Sequence, residues 1–173
     1  MPSYQGELDA LCGAYAIVNA MELCGLGAER QALFEIACAA TVRNPWPLTL
    51  WEGTTYADLK RMVRGCLKSD ANRSKLSASY PLSRRRAATN ADFWNAFDDA
   101  FSDCRAVCAI IGLKKPSAHW VVAIPDGGRI AFIDSCPERP VYRKNRASLY
   151  AGFRRPKPTQ WLVDRGELVV FHA

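Results

Sequence analysis

The sequence lacks any apolar run near the roughly 20 residues that cross a bilayer, any CxxC pair, any internal repeat and any low-complexity tract beyond short basic stretches. A membrane-spanning chain, a tandem array, a collagen and a disordered tail are therefore excluded. Histidine is scarce, at two residues, and no cysteine pair has ligand spacing, so neither a zinc centre nor any other cofactor is expected. Met1-Pro2-Ser3-Tyr4-Gln5 has neither the basic nor the apolar part of a signal peptide. The expectation is a cytoplasmic protein, or one exported by a signal-independent system into the cytosol of a target cell. Aromatics are few, at 10%, and the arginines carry none interleaved at RNA-binding spacing, which argues against a nucleic-acid partner.

What is present is ordinary core material. Of 173 residues, 49% are apolar and 23% charged, and area scaling lets a chain of this length bury roughly 70% of its unfolded surface without a metal or disulfides. One domain over 1–173 is expected. Cys12, Cys24, Cys38, Cys66, Cys104, Cys108 and Cys136 form an odd set, several of them in apolar runs such as Ile36-Ala37-Cys38-Ala39, where a free thiol is a small core residue. The net charge of +6 comes largely from Arg84-Arg85-Arg86 and from residues 139–157. These read as solvated loops that favour an acidic partner.

Helical periodicity fills the first half. Asp9 precedes Leu11, Ala14, Tyr15, Val18 and Met21, predicting a helix over 10–23 that ends at Cys24-Gly25. A second is predicted over 28–40, stopped before Asn44-Pro45-Trp46-Pro47. A third starts near Thr54 or Thr55, with Leu59, Met62, Val63 and Cys66 as its stripe, and after a linker over 69–89 a fourth runs over 91–103 behind an Asn90 cap. The period then changes. Residues 106–111 have the length of a buried strand, and two hairpins are predicted, 119–124 with 129–134 and 160–163 with 167–171. Helices first and an antiparallel sheet second make an α+β domain.

Four residues stand out for chemistry. Cys12 falls in the first turn of the first helix, where unpaired N–H groups and the helix dipole favour negative charge, as a nucleophilic thiolate requires; a core cysteine at a helix start would look the same. His119 opens the strand His119-Trp120-Val121-Val122, and Asp134 ends the next one, fifteen residues on. The intervening Asp126-Gly127-Gly128 turn puts both at one end of a hairpin, so a carboxylate can fix the imidazole while its other nitrogen faces a thiol. Each also has an ordinary role, His119 as a hydrogen-bonded structural histidine and Asp134 as a turn cap. Gln5, seven residues before Cys12, carries an amide able to donate toward an oxyanion. Trp120 and Trp161 are candidates to shield a His–acid pair, and His172 reads as a strand-end residue.

Gln5, Cys12-Gly13 with Asn19 beyond, His119-Trp120-Val121-Val122 and Ile133-Asp134-Ser135 together resemble the papain-like cysteine peptidases of the C39, double-glycine type that process bacteriocins. The resemblance spans most of the chain and implies a papain-like fold, N-terminal helices packed on a C-terminal antiparallel sheet. It also implies Cys12 as nucleophile, His119 as general base and acid, Asp134 as orienter and Gln5 as oxyanion donor, while Gly53-Thr54 matches the glycine-containing approach to the third helix. The chain departs from the pattern in a longer Gln-to-Cys gap and in Leu11, where the family commonly has Asp. The implied substrate is a protein cut after a Gly-Gly site. With no transporter segments following, the chain resembles small interbacterial toxin effectors, whose partner would be an acidic immunity protein. Glutamine deamidases and transglutaminases use the same three groups, and a non-catalytic basic binding module is the alternative of another class.

Overall fold

The computed structural model describes residues 2–5, 9–26, 29–41, 48–68, 76–84, 86–153 and 156–173. Helix α1 (Cys12–Met21) is buried at every position but Tyr15, as expected of a helix apolar all round. Its start is two residues inside the predicted span. Leu11 is the N-cap residue without a side-chain cap, and Asp9 acts one step earlier by accepting the Leu11 N–H at 3.0 Å. The chain then passes through a π-helical turn, Glu22–Leu26, in which Gly25 takes a left-handed φ of 94°. Helix α2 (Arg30–Ala39) and a short α3 (Leu48–Glu52) follow; the prolines predicted to stop α2 lie outside the described residues. Helix α4 (Tyr56–Lys68) buries the expected Leu59, Met62, Val63 and Cys66. Buried Asp58 caps it, accepting from the Thr55 hydroxyl at 2.6 Å and from the Thr55 N–H at 3.1 Å.

Strand β1 (Ser77–Ser79) falls within the segment read as a linker. Helix α5 (Asn90–Phe101) is capped by Thr89, whose hydroxyl accepts from the Asp92 N–H while Asp92 accepts in return from the Thr89 N–H. That reciprocal pair is a capping box. Asn90, the predicted cap, instead accepts the Ala151 N–H at 2.8 Å.

The strands β2 (Ala106–Lys115), β3 (His119–Asp126), β4 (Arg129–Ile133), β5 (Val141–Asn145), β6 (Leu149–Tyr150) and β7 (Trp161–His172) join β1 in one sheet of order β1-β7-β2-β3-β4-β5. All pairings are antiparallel except that of β6 with β7. The chain is thus α+β, helices mainly N-terminal and strands mainly C-terminal. Period-two alternation divides the core. Cys108 and Ile110 of β2, Trp120 and Val122 of β3, and Val169 and Phe171 of β7 pack with α1, α2 and α4. Their sequence neighbours Ala109, Ile111, Val121, Ala123, Leu168 and Val170 pack with Phe93, Trp94 and Phe97 of α5. The fourth predicted helix therefore covers the opposite face of the sheet.

The hairpin predicted around Asp164-Arg165-Gly166 is not formed. Leu113 pairs with Val163 and Ile111 with Leu168, so residues 164–167 bulge out of one continuous β7 opposite Gly112. Pairing along the whole of β2 overrides the local turn signal. No helix among the described residues is long and apolar enough to cross a membrane.

Candidate active site

The N-terminal segment is pinned at two points. Buried Asn19 of α1 accepts the Ser3 N–H at 2.7 Å and donates to the Ser3 carbonyl, and the Gln5 N–H donates to the Ser135 carbonyl at 2.9 Å. Gln5 is thereby held between the start of α1 and the end of β4. On the other side, Ala10 donates its N–H to the Leu50 carbonyl, and Gly53, at φ 76°, turns the chain so that Thr54 meets α1. A side chain at Gly13 would collide with the Thr54 hydroxyl, and one at Gly53 would come within 3.2 Å of the Ala10 carbonyl. The glycine beside Cys12 and the glycine before Thr54 thus permit one close approach. The Trp120 indole N–H locks it from below, donating to the Thr54 carbonyl at 3.0 Å.

Cys12 (8% exposed), His119, Gln5, Gly53 and Thr54 line one cavity of about 570 Å³. His119 Nε2 lies 2.6 Å from Asp134 Oδ1, and Cys12 is the other side-chain partner of the ring. With Nε2 committed to the carboxylate, Nδ1 is the nitrogen left for the thiol. Burial alone would favour the neutral ring, but hydrogen bonds donated by the ring to Asp134 and Cys12, with Coulombic attraction to both, raise the His119 pKa to about 10. Burial likewise opposes ionisation of Asp134, yet His119, the Cys136 N–H at 2.9 Å and the Tyr142 hydroxyl at 3.0 Å hold its carboxyl below the usual carboxylate range. The imidazolium form is therefore favoured, flanked by a carboxylate and a sulfur.

Cys12, His119, Asp134 and Gln5 are all brought to this place. The Gln5 side-chain N–H donates to the Asp9 carbonyl and its carbonyl accepts from the Ser135 hydroxyl at 3.4 Å, leaving a second amide N–H for an oxyanion. Sequence reasoning missed Tyr142. It sits on β5, an edge strand of the stretch read as solvated basic loop, and its signal is an inward aromatic between the exposed Val141 and Arg143. Of the two tryptophans, Trp161 lies on the acid's side, its ring 5.7 Å from that of Tyr142. Trp120 stacks on Tyr56 beneath the thiol side. Beyond His119 a second cavity of about 410 Å³, lined by Gln5, Pro116, Asp134, Tyr142 and Trp161, continues the cleft.

Among the described residues no group of three or more His, Cys, Asp or Glu side chains could hold a metal ion. No protein-family model, curated protein or solved structure matches the chain.

Proposed function

We propose that the protein is a papain-like cysteine peptidase, and the observation that carries this reading is the His119 imidazole held between the Asp134 carboxylate and the Cys12 thiol in an open cleft. In the reaction, the proton shared by the Cys12–His119 pair rests on the imidazole, and the Cys12 sulfur attacks the scissile carbonyl carbon. The resulting oxyanion is met by the Cys12 N–H and the Gln5 amide. His119 then passes its proton to the leaving amine as the C–N bond breaks, giving a thioester, and water activated by the same imidazole hydrolyses it. Asp134 keeps the ring oriented throughout, and Tyr142 and the Cys136 N–H orient Asp134. Cavities on both sides of His119 suit a chain that runs through the site rather than ending at it.

The resemblance supplies the substrate, a protein cut after Gly-Gly, and the biological role, an antibacterial effector acting in a target cytosol and restrained by an acidic immunity protein. Intact mass of candidate substrates separates hydrolysis from the chemistries that share this triad: peptide cleavage is expected, whereas a gain of about one dalton means deamidation and a larger adduct means transfer to an amine. Growth arrest on cytosolic expression in bacteria, absent for Cys12→Ala, tests the toxin role. Normal growth with soluble active protein removes it.

A further inference from the structure

Among the titratable side chains of the cleft that the mechanism does not use, Glu167 is the one aimed into it from the bulge of β7. Glu167 lines the same cavity as Cys12 and His119, and two features of the fold place it there. The bulge in β7 opposes residues 164–167 to Gly112 alone, and bulges re-aim side chains at sheet positions that regular pairing would not allow. Gly112 supplies the room, since a Cβ there would collide with the Glu167 carboxyl. A serine or alanine at 112 would expel the carboxyl from the cleft.

The Glu167 carboxyl makes no hydrogen bond and no ion pair among the described residues. The nearby cation Lys114 is committed elsewhere, 2.6 Å from the buried Asp164. Burial, and after it the charge of Asp164, raises the Glu167 carboxyl to about 7, with Lys114 and Arg86 opposing. A half-buried carboxylate of this kind gains from any cation that reaches it. The cavity wall also includes Trp51, 63% exposed, and the exposed Glu52, an aromatic face and a second negative charge that favour the same ligand. The molecule as a whole carries +6, whereas the cavity lining sets the carboxylates Asp9, Glu52 and Glu167 against Lys114 and His119.

We infer that Glu167 is a specificity-determining residue, and that the cleft beside Cys12 takes substrates carrying a lysine or arginine side chain close to the scissile bond, beyond the residues that flank it directly. The inference rests on the peptidase reading of Cys12 and His119, and a test with small thiol reagents separates the two. A methanethiosulfonate transfers its thioalkyl group when a thiolate sulfur attacks the divalent sulfur: a new S–S bond forms and methanesulfinate leaves with the electron pair. The cationic trimethylammonium-ethyl reagent and the anionic sulfonatoethyl reagent are compared at pH 8. The rate at Cys12 is followed by peptide mapping and normalised to the rate of each reagent with mercaptoethanol.

Cys12 of the native sequence is expected to prefer the cation by roughly tenfold or more, as a cleft of one sign concentrates the opposite charge. In Glu167→Gln, which keeps the shape, that preference falls by roughly threefold or more, and raised salt lowers it in the native protein. Equal rates for the two reagents in the native protein overturn the inference while leaving the peptidase reading standing. So does an unchanged preference in Glu167→Gln. Failure of both reagents to modify Cys12 while exposed Cys104 reacts overturns the inference and the peptidase reading together.

Discussion

The two histidines lie at the ends of two strands of the same sheet, His119 opening β3 and His172 closing β7, each beside a hydroxyl, thiol or carboxylate, and they have different fates. His172 closes β7 with Nε2 2.8 Å from the Ser79 hydroxyl and Nδ1 3.4 Å from Asp103 Oδ2. By residue type this is a serine, a histidine and an aspartate in sequence of contact. Yet Asp103 is spent on Arg105, which it binds through the backbone N–H and the guanidinium, and His172 Nδ1 has no hydrogen-bond partner among the described residues. His172 is also flanked by strand on both sides, opposite Ser77 of β1 and Ala106 of β2. His119 differs on each count. Its carboxylate is itself oriented by Tyr142 and the Cys136 N–H, its other partner is a sulfur at a helix start, and cavities open on both sides. The lesson is that a histidine near a carboxylate becomes a site through the carboxylate's own partners and through access.

The sharpest way to break this contrast is substitution of both histidines. Cys12→Ala and His119→Ala are each expected to lower peptidase activity by roughly a thousandfold or more, while His172→Ala retains activity near the native level when assayed with the same substrate. Loss in His172→Ala with an intact circular dichroism spectrum would mean that the second constellation takes part. Asp134→Asn, which keeps the shape and removes the charge, is expected to cost on the order of a hundredfold in kcat/KM.

The pH profile sharpens the comparison further. The His119 pKa in the folded chain is about 10, above its ordinary 6.5. The pair's contribution to stability is therefore whole below about 6.5 and is lost as pH climbs through about 10. The acid form of His119 needed for leaving-group protonation disappears over the same upper range, so the alkaline limb of kcat/KM lies near 10 and moves down in Asp134→Asn. Tyr142→Phe removes one hydrogen bond to Asp134, worth about 1 kcal/mol, and should lower kcat by about two- to fivefold with KM unchanged. Smallest of all, Ser79→Ala is expected to cost about 1 kcal/mol of stability in denaturant melts with no effect on rate.

Much of the site was legible because its geometry is local. The Asp126-Gly127-Gly128 turn forces β3 and β4 into one hairpin, and continuing their register sets Asp134 opposite Val121, diagonal to His119 on the same face. The apolar stripes of α1 and α4 gave those helices directly. What escaped was decided by distant partners. Asp164-Arg165-Gly166 has the composition of a turn, and only the length of β2 keeps it inside β7 as a bulge. Strands β1 and β5 are polar edge strands, Ser77-Ala78-Ser79 and Val141-Tyr142-Arg143-Lys144-Asn145, with little apolar signal of their own. Tyr142 and Glu167 went unnoticed for that reason, since one sits on such an edge and the other on the bulge. The Thr89 cap was readable from Thr89-Asn90-Ala91-Asp92, and Asn90 masked it.

Competitive alkylation tests the central claim most directly, because accessibility and mechanism give opposite answers. Cys104 is exposed and Cys12 is 8% exposed, so access alone puts iodoacetamide on Cys104 first. The His119 ring, held by Asp134 beside the Cys12 sulfur, reverses that order by activating the sulfur as a nucleophile. Limited labelling of the folded protein at pH 6, followed by peptide mass mapping, is expected to find Cys12 modified ahead of Cys104, and His119→Ala is expected to restore Cys104 to first place. Modification of Cys104 first in the native protein, with Cys12 untouched, would contradict the account.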